Sequence, residues 1–517
     1  MRPVHGAHFV FFILFVLFKS CLTFKTHAMH FIDLSVFILY MVVMLGVGYF
    51  FLRRNKDTDD YYVGGRSMGS FHVGLSVVAT DVGGGFSIGL GGLGFIMGIA
   101  GSWMLFTGLI GAWLSAVFLI PKVSKMSHKI QLFTFPQIFE QFYTPRVAFL
   151  AGVISAIGYM GFTSSQILAG AKLASATFVD LKLNQALIIM GVIAVVYTVM
   201  GGLKAVIYTD TIQWLILMGG LIFIGIPLGY NAIGGMEAIR ETLPGEFLSF
   251  SNVSWQELVN WGITIIPIWF VGMTLYQRIY STRSRKEAQK AWFIAGLFEW
   301  PLMAMMGVIL GLFARVGLEN GMFTSLGYPD LQSIDSEMGL PLLLRTVLPV
   351  GLMGLMMSAY FSAIMSTADS CLMASSGNIL TDILNKIFHF DHNSRKVLRI
   401  SQMLTFVIGG SALLLALKMQ NVLELMLYSY AFMVSGLFIP ILGALFWRKS
   451  SPVAAFWSML IGGGTTLYLT VAGFSLPFGL DPNIFGISAS LVLFVGLTFL
   501  FPRKKGASSM EPAASIE

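Results

Sequence analysis

The run Ala363-Ile364-Met365-Ser366-Thr367-Ala368-Asp369-Ser370 sets three hydroxyls and a carboxylate on adjacent turns of an otherwise apolar stretch. On a helix Ser366 and Ser370 share one face, and Ala363 and Thr367 share another. Hydroxyl and carbonyl oxygens are the ligands a hard cation takes. The same small residues would also let two membrane helices approach closely, so packing is the competing reading. A second oxygen-bearing stretch is Val77-Val78-Ala79-Thr80-Asp81-Val82-Gly83-Gly84-Gly85. It places a carboxylate and three glycines where a spanning helix should be continuous. Helix interruption frees backbone carbonyls, which lipid tolerates only where they are buried in protein or line a polar cavity. The hydroxyls of the first run and the carbonyls of the second would together make a site for sodium.

Ionisable groups inside spans are expensive and are functional unless something explains them. Asp81, Asp210 and Asp369 are such acids. Thr209-Asp210 opens an apolar stretch, so Asp210 reads equally as a site residue or as a helix cap. Glu299 is expected to pair with a neighbouring helix. The solute pocket is expected beside the cation, lined by Gly83, Gly84, Phe86, Phe162, Thr163, Gln166, Trp269 and Tyr428. Gln166 could orient a polar solute or bond a neighbouring helix, and the aromatic residues could close over its apolar part.

These residues need a membrane scaffold. The chain has 517 residues, 56% hydrophobic and 11% charged, against about 25% charged in soluble proteins. It therefore reads as an all-α polytopic membrane protein. Thirteen spans are predicted, near 32–52, 72–98, 103–121, 147–176, 185–203, 208–230, 257–279, 291–314, 346–378, 399–418, 422–447, 453–474 and 483–502. The seventh carries Pro267 in mid-span and is the second discontinuous helix. Two broken helices at corresponding positions of two halves point to a transporter's central site.

The organisation follows. Residues 1–28 are an N-terminal extension, either signal-like or preceding a true start at Met29. Residues 29–71 carry the first span and a cytoplasmic loop. Spans two to six (72–230) and seven to eleven (257–447) form a five-plus-five inverted repeat, joined by an exposed external connection at 231–256. Two further helices (448–502) and a cytoplasmic tail (503–517) follow. Lysines and arginines gather in one set of loops, Arg278, Arg283, Arg285, Lys286 and Lys290 among them. The other side holds only Lys172, Lys182, Arg240, Arg315, Arg345 and Lys418. The richer side is cytoplasmic, which puts the N-terminus outside and the C-terminus inside a plasma membrane, here a bacterial inner membrane.

Several function classes find no machinery. There is no Walker A loop or His-Glu metalloprotease motif, and none of the eight histidines sits at a span centre. The net charge of +7 lies in turns between spans and does not imply nucleic acid. An enzyme is not expected, nor a cofactor beyond a coupling ion.

Several segments resemble the sodium:solute symporter family. They are Tyr61-Tyr62-Val63-Gly64-Gly65-Arg66; Tyr197-Thr198-Val199-Met200-Gly201-Gly202-Leu203-Lys204-Ala205-Val206-Ile207-Tyr208-Thr209-Asp210; Gln277-Arg278; and Met365-Ser366-Thr367-Ala368-Asp369-Ser370. The resemblance covers roughly residues 32–450 and implies a LeuT-type fold with sodium-coupled uptake of a small organic solute by alternating access. It would put sodium on the Ala79, Val82 and Ala363 carbonyls and the Ser366 and Thr367 hydroxyls. Asp81 matches a position linked to sodium in the proline-transporter branch. A second cation position would fall on Asp210, Asp369 and Ser370. The partners implied are sodium, the solute and membrane lipid. The glycines at 83–85 and Phe86 match neither the proline nor the sugar branch, and Asp81 stands where the choline branch has an aromatic. Rival readings are a proton-coupled symporter using Asp81 or Asp369, a membrane solute sensor, and a uniport channel.

Overall fold

The computed structural model describes residues 30–52, 63–81, 83–178, 181–200, 203–388 and 395–503. The predicted N-terminal extension and the tail beyond Arg503 lie outside these residues. Among the described residues the fold is built from helices. We label the main ones α1 (Phe31–Leu52), α2 (Ser70–Asp81), α3 (Gly83–Met97), α4 (Trp103–Leu114), α5 (Pro145–Thr177), α6 (Leu183–Met200), α7 (Leu203–Gly220), α8 (Trp255–Val271) and α9 (Met273–Ser281). The rest are α10 (Arg285–Leu297), α11 (Ala304–Glu319), α12 (Gly339–Val347), α13 (Leu352–Asn378), α14 (Arg395–Ala416), α15 (Val422–Phe446), α16 (Pro452–Ala472) and α17 (Pro482–Leu500).

A helix stands at every predicted span. By length and apolar composition, seven stretches of the described residues qualify as membrane crossings, or eight with the bent pair α8–α9. Phe31–Met44, Leu183–Val195 and Ile400–Ala416 are shorter apolar stretches. The long helices bury one another and turn residues such as Phe223, Val471 and Leu500 outward, as lipid-facing surfaces require.

The core of the bundle is α5 packed between α13 and α15, with α7 against α2 and α13. α3 lies on α11 through glycines. An added Cβ at Gly311 would stand 2.0 Å from the Gly91 carbonyl oxygen, and one at Gly94 2.1 Å from that of Val308. Close contact of backbones replaces side-chain interdigitation there, as is usual between membrane helices.

Three expectations about elements change. The break in the seventh span is not at Pro267, which sits inside α8. It falls at Gly272, whose ψ of 111° is extended, and the two helices bend by 43° there. Proline removes one donor and crowds the preceding turn, yet the helix passes through it and breaks where glycine frees the backbone. The ninth span starts at Leu352 rather than 346, because Gly339–Val347 is a separate helix. The connection 231–256 is not wholly exposed: it carries the helix Gly235–Thr242 and buries Phe247 against Gly98. A further interruption went unforeseen: after α10 the segment Phe298–Met303 contains extended Trp300 (φ −139°, ψ 128°) before Pro301. That proline was the available signal.

Candidate functional site

α2, α7, α9 and α13 meet in the middle of the bundle and carry most of the predicted cation residues. The Thr367 hydroxyl of α13 lies 3.0 Å from the Ala79 carbonyl oxygen of α2 and 3.1 Å from that of Ala363, one turn back on its own helix. One hydroxyl proton is thus shared between two carbonyls, and three oxygens from two helices face one point. All three residues are buried. Val82, the fourth backbone candidate, lies outside the described residues.

Ser366 turns to a different partner. Its hydroxyl donates to one carboxylate oxygen of Asp210 in α7, and Ser76 of α2 donates to the other at 2.6 Å. The capping reading of Asp210 therefore fails: α7 begins seven residues earlier at Leu203, and the carboxylate is buried and triply engaged. Its third partner is Arg278, with Nη2 at 3.5 Å.

Arg278 overturns a second expectation. It was counted among the cytoplasmic loop cations, but its side chain is 0% exposed. It lies on α9 just past the Gly272 break and reaches back into the bundle. Its Nε donates to Ser76 at 3.0 Å, Nη1 to the Thr274 carbonyl at 3.1 Å, and Nη2 to Thr80 and to Ser370 at 3.4 Å. One guanidinium thus ties together α2, α7, α9 and α13. Such a buried pair is sustained only when its remaining donors are satisfied, as they are here. Ser370 and Asp210, two of the three residues of the second cation position, share this built-in cation. The third, Asp369, is fully buried, and neither carboxylate oxygen has a hydrogen-bond partner among the described residues. The Thr198 hydroxyl of α6 lies beside it but donates to the Ala194 carbonyl at 2.8 Å.

The residues predicted for the solute pocket, and those beside them, divide into two groups. Asp81 accepts a hydrogen bond at 3.2 Å from the hydroxyl of Tyr430 on α15. Phe162 of α5 meets the Tyr430 ring edge to face at 5.1 Å. Thr163 is buried but spends its proton on the Tyr159 carbonyl at 2.8 Å. Gln166 follows Phe162 by one turn, with Nε2 at 3.4 Å from Ser165 Oγ and 3.8 Å from Met426 Sδ, and its Oε1 has no partner. Tyr159, unforeseen, joins α5 to the second break: its hydroxyl accepts from the Thr274 backbone N–H at 3.1 Å.

Two expected members are elsewhere. Tyr428 is 38% exposed and donates to Glu424 at 2.5 Å. Two positions along a helix is more than half a turn, so when Tyr430 faces Asp81, Tyr428 must face away. Trp269 is buried on the far side of α8, against Trp292 of α10 at 6.3 Å and beside Gly111 of α4. The side-chain surroundings of Gly83, Gly84 and Phe86 lie outside the described residues. Glu299 makes no interhelical hydrogen bond among the described residues; both its oxygens are unpartnered, and its carboxylate occupies the space left by the missing side chain of Gly108.

Among the described residues, interrupted helices converge on buried oxygens and acids, the arrangement that secondary transporters use. The model of the sodium:solute symporter family matches residues 61–462. The chain is 26% identical over 467 residues to the high-affinity proline transporter PutP of Bacillus subtilis, covering 88% of this chain and 95% of that one. It is 27% identical over 505 residues to a sodium/glucose cotransporter of Vibrio parahaemolyticus, covering 90% of each. Its fold matches a sodium-coupled sialic acid symporter solved in a substrate-bound outward-open state, with a TM-score of 0.73, 22% identity, and 92% and 99% of the two chains covered. The chain belongs to the sodium:solute symporter family. It is a multi-pass, sodium-coupled solute symporter with the LeuT-type fold.

Proposed function

We propose that sodium binds at the Ala79 and Ala363 carbonyls and the Thr367 hydroxyl, with the Val82 carbonyl and the Ser366 hydroxyl completing the set. The observation that carries this reading is the convergence of three oxygens from α2 and α13 around Thr367. Sodium coordinated there by the two carbonyls and a lone pair of the still-protonated hydroxyl takes over from the hydrogen bond as the link between the helices, stabilising one arrangement of α13 against α2. The solute then binds on the Asp81 side, against Tyr430, Phe162 and Gln166. Rocking of the two five-helix repeats exposes both to the cytoplasm, in a topology of thirteen crossings with the N-terminus outside. Asp210, Ser370 and Asp369 form a second cation position in which Arg278 competes for Asp210.

The driving force suffices. One charge moving down 100 mV gains about 2.3 kcal/mol, and a tenfold sodium gradient adds about 1.4 kcal/mol. One sodium therefore sustains a solute gradient on the order of several hundredfold.

The test is sodium-dependent stabilisation of the purified protein. Thr367→Ala should raise the sodium concentration needed for half-maximal stabilisation by about tenfold or more, with Ser366→Ala acting in the same direction. Both proteins should still fold, since alanine suits a helix. Wild-type sodium dependence in both variants would remove the assignment. The proton-coupled reading through Asp81 or Asp369 instead expects uptake indifferent to sodium.

A further inference from the structure

Resting on the sodium-coupled reading, we infer a further station for sodium at the far end of α13, built by Asp382 and Asn378 against α5. Beyond Thr367, α13 and the turn that continues it set three polar side chains on α5. Ser375 donates to the Ala156 carbonyl at 2.9 Å, and Asn378 Nδ2 donates to Ser155 Oγ at 2.7 Å. Asp382 fills the room that Gly152 leaves, since an added Cβ there would stand 2.9 Å from the Asp382 Cβ. At about 1.5 Å per residue, Asn378 and Asp382 lie roughly 16 and 22 Å along the helix from Thr367, on the way to Lys386 and the basic residues that follow it.

Two oxygens are stranded there. Asp382 and Asn378 are both 0% exposed. Thr134 donates to Asp382 Oδ1 at 3.0 Å, but Oδ2 has no partner among the described residues. Asn378 Oδ1 has none either. Lys386, four positions past Asp382, donates to Glu140 at 2.8 Å instead. A buried carboxylate is sustained by a paired charge, by hydrogen bonds or by a bound metal ion. A purely structural task, fastening Thr134, accounts for Oδ1 and leaves Oδ2 and the Asn378 oxygen without one. The helix also widens over Ile379–Leu384, a distortion that recurs at functional sites.

The chemistry selects the ligand. Carboxylate, amide and hydroxyl oxygens are the set a hard cation takes. Asp382 Oδ2 supplies the charge, and Asn378 Oδ1 with the remaining lone pairs of Thr134 and Ser155 supplies neutral oxygens. One carboxylate balances one monovalent ion. Thr134 lies between the helices Ile120–Ile130 and Pro136–Phe142, and its carbonyl accepts from Tyr280, near the end of α9, at 3.4 Å. The station therefore stands where α5, α9, the turn after α13 and this connecting stretch meet. Sodium released at Thr367 meets a fixed negative charge there before it reaches water.

The experiment is equilibrium binding of radioactive sodium to the purified full-length chain, at constant ionic strength in potassium. Asp382→Asn should bind one ion fewer than wild type at saturation and keep the half-saturating concentration of the ion at Thr367. Asn378→Ala should raise the half-saturating concentration of the lost class about tenfold or more. Thr367→Ala should weaken the other class and leave this one. Wild-type stoichiometry and affinity in both Asp382→Asn and Asn378→Ala overturn the inference, as does a folded Asp382→Asn that loses every class at once. If Asp382→Asn does not fold, Asn378→Ala alone decides. Wild-type protein whose only sodium class is the one weakened by Thr367→Ala keeps the symport reading and loses this one; wild-type protein that binds no sodium removes the symport reading itself.

Discussion

Arg278 is the residue on which most of the centre depends. It satisfies Asp210, orients Ser76 and reaches Thr80 and Ser370 from a helix that starts only at Met273. Its value lies less in net stability than in what its loss would strand. Removing one member of a buried ion pair costs roughly 3–5 kcal/mol, whereas removing both can be nearly neutral. Arg278→Gln should therefore lower the unfolding temperature markedly, and Arg278→Gln with Asp210→Asn should recover most of the loss. Thermal unfolding of the three proteins checks it. Equal losses in the single and double variants would mean that the guanidinium stabilises through packing alone. Sequence could single out Asp81, Asp210, Ser366 and Thr367, because polar groups in apolar runs announce themselves. It marked Arg278 only within the Gln277-Arg278 segment of the resemblance and gave it no place in the bundle, since an arginine next to a basic turn reads as part of that turn. Nor could it separate Tyr428 from Tyr430, whose types are identical and whose faces are fixed only by how α15 docks on α5.

At the scale of elements, local pattern gave the helices and long-range contact gave their ends. Three helix N-termini take their caps from elsewhere in the chain. Asp33 of α1 accepts from the Gly351 and Gly354 N–H groups at the start of α13, both at 2.7 Å. Glu337 accepts from Val422 and Leu423 at the start of α15, at 2.8 and 2.9 Å, while pairing with buried Lys172 at 2.6 Å. Lys172 is therefore a structural ion-pair partner rather than an external loop cation. Glu287 accepts from the Ser70 N–H at the start of α2 at 2.6 Å, and that contact holds its carboxyl below the usual carboxylate range. Carboxylates suit helix N-termini, but no reading of neighbours in sequence could find partners more than eighty positions away. The breaks divide in the same way. Pro267 was visible and did not break its helix, whereas Gly272 did. The crossing of α3 and α11 gives a sharp test. At Gly311 an added side chain meets the Gly91 backbone, which cannot rotate aside. Gly311→Val should cost about 1–3 kcal/mol or more. Gly464→Ala in α16, with open space around it, should be neutral or gain up to about 1 kcal/mol. Chemical or thermal unfolding would separate the two, and equal effects would mean that α3 and α11 are not held in this contact.

At the scale of the whole molecule the remaining question is direction. Coupling yields uptake only if the sodium-rich side opens onto the same face as the solute supply, so the topology is part of the mechanism. The exposed end of α10 and the turn before it carry Arg283, Arg285, Lys286 and Lys290. The helix Gly235–Thr242 precedes α8 and carries Glu237, Arg240 and Glu241. The bent pair α8–α9 separates these two surfaces by one crossing. Basic residues near span ends are retained in the cytoplasm, so position 285 should face inward and position 241 outward. Glu241→Cys and Arg285→Cys, each made with Cys21 and Cys371 replaced by serine or alanine, place a thiol on an exposed site of either surface. A membrane-impermeant maleimide applied to intact cells should label Cys at 241 and leave Cys at 285 untouched until the membrane is permeabilised. The reverse pattern would invert the protein, putting the C-terminus outside. Labelling of both from one side would remove the crossing between them. In that second case the two repeats would no longer have the opposed orientations that alternating access requires.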